Sequence, residues 1–303
     1  MLEVFKRLTN SIDLQPKEEV FGSDLTVIGI GGKIPLFVEV NTVDQLSKLI
    51  KLLKKEGLLY RVIGRGSNIF FSDTPKEIPL IKLGGDFKFF QQNSDDTGSF
   101  KVGAAYSLMQ FARNVSNQGY AGIEFAGGIP ASIGGAVFMN AGAYGGELVN
   151  VIEKIDLIND EGEIISAKSS DFNFKYRSSG IPKEWIIIGA EIRLAVGDRE
   201  RSLKLLEENN AKRRATQPVQ YPSSGSCFRN PPTPPPAGVL LDQTGMKGMK
   251  RGGAEVSEMH ANWIVNKERL AKAVDVLSLI EEGRSRVRER FNIDLELEVF
   301  YWD

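Results

Sequence analysis

Two side chains that many enzymes depend on are nearly missing from this 303-residue chain: it has one cysteine, Cys227, and one histidine, His260. A lone thiol closes no internal disulfide, so nothing marks an oxidising compartment. One His with one Cys leaves no zinc or iron–sulfur ligand set, and no metal is expected. A Ser-His-Asp hydrolase could use only His260, and no Gly-x-Ser-x-Gly elbow accompanies it. An excess of either charge is also lacking. Lys and Arg total 38 against 39 Asp and Glu, a net charge of −1. Nucleic-acid binding is therefore not expected, and neither is docking to an anionic membrane surface. No apolar core follows Lys6 and Arg7, so no signal peptide is expected and the chain reads as cytoplasmic. Repeats in the solenoid range, a P-loop and a Gly-x-Gly-x-x-Gly fingerprint are absent as well.

What is present is an ordinary globular balance, 42% hydrophobic and 25% charged, long enough for about two domains. Strand and helix patterns alternate. Residues 25–30 and 36–40 read as strands, and 43–56 as a helix with Thr42 as N-cap, Gln45 completing a capping box and an apolar stripe on one face. Residues 59–63 and 99–106 read as strands, and Ser107 caps a short helix ending near Gly119. A hairpin over 152–158 and 163–167 turns at Asp160-Glu161-Gly162. A strand over 185–194 follows, then a charged helix over 201–216. Residues 217–236 hold seven of the 13 prolines. The long helix 270–291 and a strand 295–301 close the pattern. The change of character near residue 198 predicts a first domain over 1–198, with lobes of about 1–75 and 76–198, and a second over 199–303.

One run carries no charge at all: seven of the 22 residues from Phe125 to Gly146 are glycine, and Pro130, Ser132 and Asn140 interrupt it. Dense backbone with few large side chains suits a ligand-contacting loop better than lipid. Within it Gly127-Gly128-Ile129-Pro130-Ala131-Ser132-Ile133-Gly134-Gly135 sets two Gly pairs around a rigid Pro, and Asn140-Ala141-Gly142 follows. Gly64-Arg65-Gly66-Ser67-Asn68 leaves a strand directly, a place where successive N–H groups can cradle an anion. The everyday alternative for both is a packed turn of small residues; two such loops favour a large nucleotide cofactor. Other groupings are Tyr176-Arg177, whose guanidinium fork matches a carboxylate, and Ser226 with Arg229 and Asn230 in a Pro-rich setting. Glu296 and Glu298 alternate on a strand face. A salt bridge, a linker and a solvated edge are their respective bland readings. Cys227 reads as a small packing residue and His260 as a structural histidine. The residues alone thus lead to a mixed α/β and α+β chain of two parts with nucleotide-cofactor loops.

Taken in order, these motifs, with Gln217-Pro218, Pro222-Ser-Ser-Gly-Ser226, Phe228-Arg-Asn-Pro231, Gly245-Met-Lys-Gly248, Gly252-Gly-Ala254, Ser257-Glu-Met-His-Ala-Asn262 and Leu295-Glu-Leu-Glu-Val299, resemble the UDP-N-acetylenolpyruvoylglucosamine reductase family over about residues 25–299, in its short-loop form. The resemblance implies a bilobal FAD-binding unit of the vanillyl-alcohol-oxidase type, then a substrate domain. It implies bound FAD, NADPH as co-substrate and an enolpyruvyl UDP-sugar as substrate, with no obligate protein partner. Ser226 matches the family's proton donor, and Arg177 and Glu298 its stabilisers of charge on the substrate. The flavin contacts match Gly64, Arg65, Gly66, Ser67 and Asn68, then Gly127, Gly128, Ile129, Pro130, Ala131, Ser132, Gly134 and Gly135, then Asn140, Ala141 and Gly142. Tyr176, Arg213, Arg229 and Asn230 match substrate contacts. Gly29 and Phe300 stand where the family commonly carries Arg. Two further readings stay open here: another flavin oxidoreductase of the same superfold, and a non-catalytic nucleotide-binding relative.

Overall fold

The computed structural model describes residues 2–303, which fall into two compact units, neither continuous in the chain. One holds the chain up to Glu18, Pro35–Gly64 and Ile78–Ala211; the other holds Glu19–Ile34, Arg65–Glu77 and Lys212–Asp303. Among the described residues no helix is long and apolar enough to cross a membrane.

In the first unit, Phe37–Val40, Leu80–Leu83 and Arg61–Ile63 form a parallel sheet with Leu80–Leu83 in the middle. The crossover between the first and last of these contains helix Val43–Lys55, started by Thr42 as expected: its hydroxyl accepts the Gln45 N–H at 3.2 Å. Leu46, Leu49, Ile50 and Leu53 of that helix are buried, and Phe5 and Leu8 of helix Leu2–Asn10 join the same core. Because the middle strand lies beyond residue 75, this sheet crosses the lobe boundary expected at 75/76. A five-stranded antiparallel sheet follows, in the order Ile164–Lys168, Ile152–Ile158, Ile186–Arg193, Ser99–Gly103, Phe90–Gln92. Its first two strands are the expected hairpin. Helix Leu108–Asn117, capped by Ser107 as expected, and helix Ile133–Phe138 complete the unit.

The second unit is built on the antiparallel sheet Ser223–Ser226, Trp263–Val265, Ala254–Val256, Lys250–Arg251. Helix Ala273–Phe291 packs on it, and helix Ala237–Gln243 packs on that helix. Phe300–Trp302 pairs in parallel with Ile69–Phe71. The expected strand 25–30 is instead a short helix, Gly22–Leu25, followed by a turn. The reason is local: Gly29 (φ 71°) and Gly31 (φ 142°) take backbone conformations that interrupt an extended run. The expected strand 295–301 begins only at Phe300. Helix Arg199–Thr216 spans the end of the first unit and the start of the second, so the units change at 211/212 rather than at the expected 198/199.

Candidate active site

The glycine-rich run of the first unit is fastened to the segment before helix Leu108–Asn117. Leu108 N–H donates to the Ala131 carbonyl (3.0 Å), Ile133 N–H to Tyr106 (2.9 Å) and Gly134 N–H to Ala104 (2.8 Å). Ser132 is the N-cap of helix Ile133–Phe138. A Cβ at Gly64 would sit 2.5 Å from the Ser132 hydroxyl oxygen, so these two expected loops meet closely, and a side chain there would displace that hydroxyl. Gly127 has a different reason: a Cβ there would meet Leu206 Cγ at 2.7 Å, a demand of packing. Gly135 is open, with only the Ser132 hydroxyl within reach of a Cβ, at 3.4 Å.

Helix Ile133–Phe138 ends in a tight double closure. Asn140 N–H donates to the Val137 carbonyl (3.0 Å) and Ala141 N–H to Ala136 (2.8 Å), with Asn140 left-handed at φ 43°. Asn140 is fully buried. Its side-chain NH₂ donates to Glu147 Oε2 (3.0 Å) and the Lys175 carbonyl (3.1 Å), while its Oδ1 accepts the Val149 N–H (3.1 Å). Protein groups thus use its side chain, leaving none of it for the expected flavin contact. Gly142 enters a small hairpin, paired with Glu147. Tyr176 and Arg177 form the tip of a turn closed from both sides: Lys175 N–H donates to the Ser178 carbonyl (2.9 Å) and Ser178 N–H to that of Lys175 (3.0 Å). Arg177 takes φ 56°, and its guanidinium carbon lies 4.9 Å from the Tyr176 ring centre.

In the second unit, Gly66 needs φ 69°, and a Cβ there would overlap the Leu25 carbonyl. Among the described residues, the N–H groups of 65–68 donate no hydrogen bond to protein groups. Successive N–H groups without a protein acceptor suit an anion such as a pyrophosphate, so the residues present fit a flavin nucleotide. The Asn68 side chain donates to the Glu298 carbonyl (3.0 Å), and the Phe300 N–H donates to the Asn68 carbonyl (2.9 Å). Glu298 N–H in turn donates to the Cys227 carbonyl (2.8 Å). Asn68, Glu298 and Cys227 are thereby joined through one chain of bonds, with Ser226 the residue before Cys227. Ser226 ends its strand opposite Trp263, whose ring centre lies 5.8 Å from the Arg213 guanidinium carbon. Arg229 N–H donates to the Glu296 carbonyl (2.9 Å). The Asn230 Oδ1 accepts the Ala237 N–H (3.1 Å), at the start of helix Ala237–Gln243. Tyr176 and Arg177 belong to the first unit.

Residues beyond the expected set shape this unit. Asn262, only 3% exposed, copies a strand neighbour with its side chain: it accepts the Phe228 N–H (2.9 Å) and donates to the Phe228 carbonyl (2.8 Å), while its backbone carbonyl accepts the Cys227 N–H (2.9 Å). The available signal was an amide between apolar neighbours, Ala261 and Trp263, where a buried polar group must be bonded. Burial pushes the Cys227 thiol up to about 12, so it stays protonated and inert. Burial also holds the His260 imidazole below its ordinary value.

Known proteins resemble the chain in sequence and in fold. A family model described as "FAD binding domain" matches residues 34–168, and one described as "UDP-N-acetylenolpyruvoylglucosamine reductase, C-terminal domain" matches 217–302. The UDP-N-acetylenolpyruvoylglucosamine reductase of Anoxybacillus flavithermus is 40% identical over 277 residues, 90% of each chain. That of Halalkalibacterium halodurans is 41% identical over 271 residues, 89% of this chain and 88% of the relative. The crystal structure of the Thermus caldophilus UDP-N-acetylenolpyruvylglucosamine reductase superimposes with a TM-score of 0.82 at 32% identity, covering 96% of this chain and 99% of that one.

Proposed function

The chain belongs to the UDP-N-acetylenolpyruvoylglucosamine reductase family, and from that premise we propose that it is an FAD-containing, NADPH-dependent oxidoreductase. Its substrate is UDP-N-acetylglucosamine enolpyruvate, its product UDP-N-acetylmuramate, and its role peptidoglycan synthesis. FAD, when bound, supplies the redox chemistry, passing hydride from NADPH to the β-carbon of the enolpyruvyl group. Residues 1–198 hold the flavin nucleotide in this reading and 199–303 the sugar nucleotide; the two family matches fall within those limits. The unbonded N–H groups of 65–68 are assigned the pyrophosphate, and residues 127–135 with Ala141 and Gly142 line the cofactor, whereas buried Asn140 is left to hold the protein itself.

As hydride arrives, negative charge grows on the substrate carboxylate. Arg177 is assigned to meet it with positive charge, an interaction stronger in the transition state than in the ground state. Glu298 is assigned to stabilise the same charge, a role that requires it to carry or share a proton. Ser226 is assigned to deliver a proton to the α-carbon, so hydride and proton together saturate the double bond. Tyr176, Arg213, Arg229 and Asn230 are assigned to hold the sugar nucleotide. The observation that supports this most is the bond from Glu298 N–H to the Cys227 carbonyl, which joins the backbone of the proposed carboxyl residue to that of the residue after the proposed proton donor. A small-molecule partner follows from the family. A cytoplasmic place of work fits a lone buried thiol that forms no disulfide.

The test is spectroscopic. The purified protein should show flavin bands that NADPH bleaches without oxygen and that the enolpyruvyl sugar nucleotide restores. Bleaching without restoration would point to a flavoreductase with another substrate, and a protein that takes up no FAD would overturn the reading.

A further inference from the structure

We propose that Asn140 is a positioning residue, whose side chain ties the turn bearing Arg177 to the end of the glycine-rich loop. The inference rests on the reading of Arg177 as the charge that meets the reacting substrate.

The Arg177 turn has two flanks, and both are pinned to the C-terminal end of helix Ile133–Phe138. On one side the Asn140 NH₂ donates to the Lys175 carbonyl at 3.1 Å. On the other the Ser179 N–H donates to the Phe138 carbonyl at 3.2 Å. Lys175 is the residue whose carbonyl also closes the turn, so Asn140 grips the turn at its hinge. The grip is itself rigid. Asn140 is left-handed within the helix-ending closure, and its other two bonds, to Glu147 and Val149, fix both ends of its amide. With no exposed surface, it touches no ligand and acts only through what it holds. Arg177 needs such a hold because its own backbone is left-handed (φ 56°), a conformation that a non-glycine residue keeps only when its surroundings impose it.

The choice of asparagine follows. The position demands a left-handed residue, and the site demands two donors and an acceptor within one short side chain. Removing the side chain leaves the Ser179 bond as the only anchor of the pair, and the turn can swing by the fraction of an ångström that electrostatic catalysis does not tolerate.

The test substitutes Asn140→Gly in the full chain, because glycine preserves the left-handed backbone and removes only the amide. The measurements are kcat, KM for the sugar nucleotide, bound flavin per chain, and the same substitution made on Arg177→Ala. The expected result is a fall in kcat of about 10- to 100-fold, a smaller change in KM, unchanged flavin content, and no further loss on the Arg177→Ala background, since the two act as one unit. Should Asn140→Gly fold poorly, Asn140→Asp, which keeps the acceptor and loses both donors, should show the same kcat loss. Unchanged kcat in Asn140→Gly beside a damaged Arg177→Ala overturns the inference alone, as does additivity of the two or loss of flavin in step with activity. Unchanged kcat in Arg177→Ala overturns the reading of Arg177, and the inference with it.

Discussion

Ser226 sits where its strand stops, opposite Trp263, with the next carbonyl, that of Cys227, holding Glu298. Its hydroxyl is the only group that Ser226→Ala removes, so the variant should keep its flavin and still be bleached by NADPH. Turnover of the sugar nucleotide should drop about 100-fold or more, the usual scale for losing a proton donor; a steady-state assay beside a visible spectrum reads both. His260 makes a different prediction. Its Nδ1 accepts the Asn262 N–H at 3.2 Å, and burial keeps the ring from charging. Above the ordinary histidine value of about 6.5 both folded and unfolded chains are neutral there and nothing is lost. As the pH falls below it, the unfolded chain takes up a proton that the folded chain resists, and stability drops. His260→Gln removes that uptake, so its Tm should fall less between pH 7 and 5.5 than that of the unaltered protein, as scanning calorimetry at several pH values would show. Equal slopes would mean that His260 is not what resists charging.

Local patterns were legible wherever an element's own residues decide its structure. The stripe and cap of helix Val43–Lys55, the Ser107 cap and the hairpin around Gly162 all follow from neighbours within a few positions. Thr42→Ala should therefore cost about 1 kcal/mol, visible as a lower denaturant midpoint with unchanged slope; no change would show that the cap bond is exchanged freely for water. Legibility failed where a distant partner decides. Residues 25–30 look extended, yet Ile28 and Ile30 are buried among residues from the C-terminal part of the sequence, and Gly29 and Gly31 turn the chain to put them there. Residues 295–299 alternate like a strand. Only Leu297 pairs as a strand residue does, in an antiparallel bridge with Phe228; the rest is held by bonds to Cys227, Arg229, Asn68 and Arg284. The site was legible in the same measure. Residue types and spacing marked both glycine loops, while nothing in a lone sequence could show that Asn140 is spent on Lys175 or that Asn262 imitates a strand.

Composition marks a change near residue 198, but a change of composition is not a change of core. The second unit takes Glu19–Ile34 and Arg65–Glu77 from the N-terminal half of the sequence. Ile28, Ile30 and Phe70 are each at most 1% exposed and pack with Phe228, Leu240, Ile264 and Val299. A chain cut after Asp198 keeps the first three and loses all four partners. Burial of each such side chain contributes roughly 1.5–3 kcal/mol, so exposing three removes much of a margin of about 5–15 kcal/mol. The strand Ile69–Phe71 also loses Phe300–Trp302, its parallel partner, and is left with an unpaired edge. Such a piece should bind a hydrophobic dye, associate at micromolar concentration and melt without a sharp transition, although it contains the whole of the FAD-domain match at 34–168. Calorimetry and light scattering on residues 1–198 would read this directly. A monomer with a cooperative melt would mean that the first unit's core, from Phe5 to Leu194, carries its own stability, and that the two N-terminal excursions can hang free at little cost.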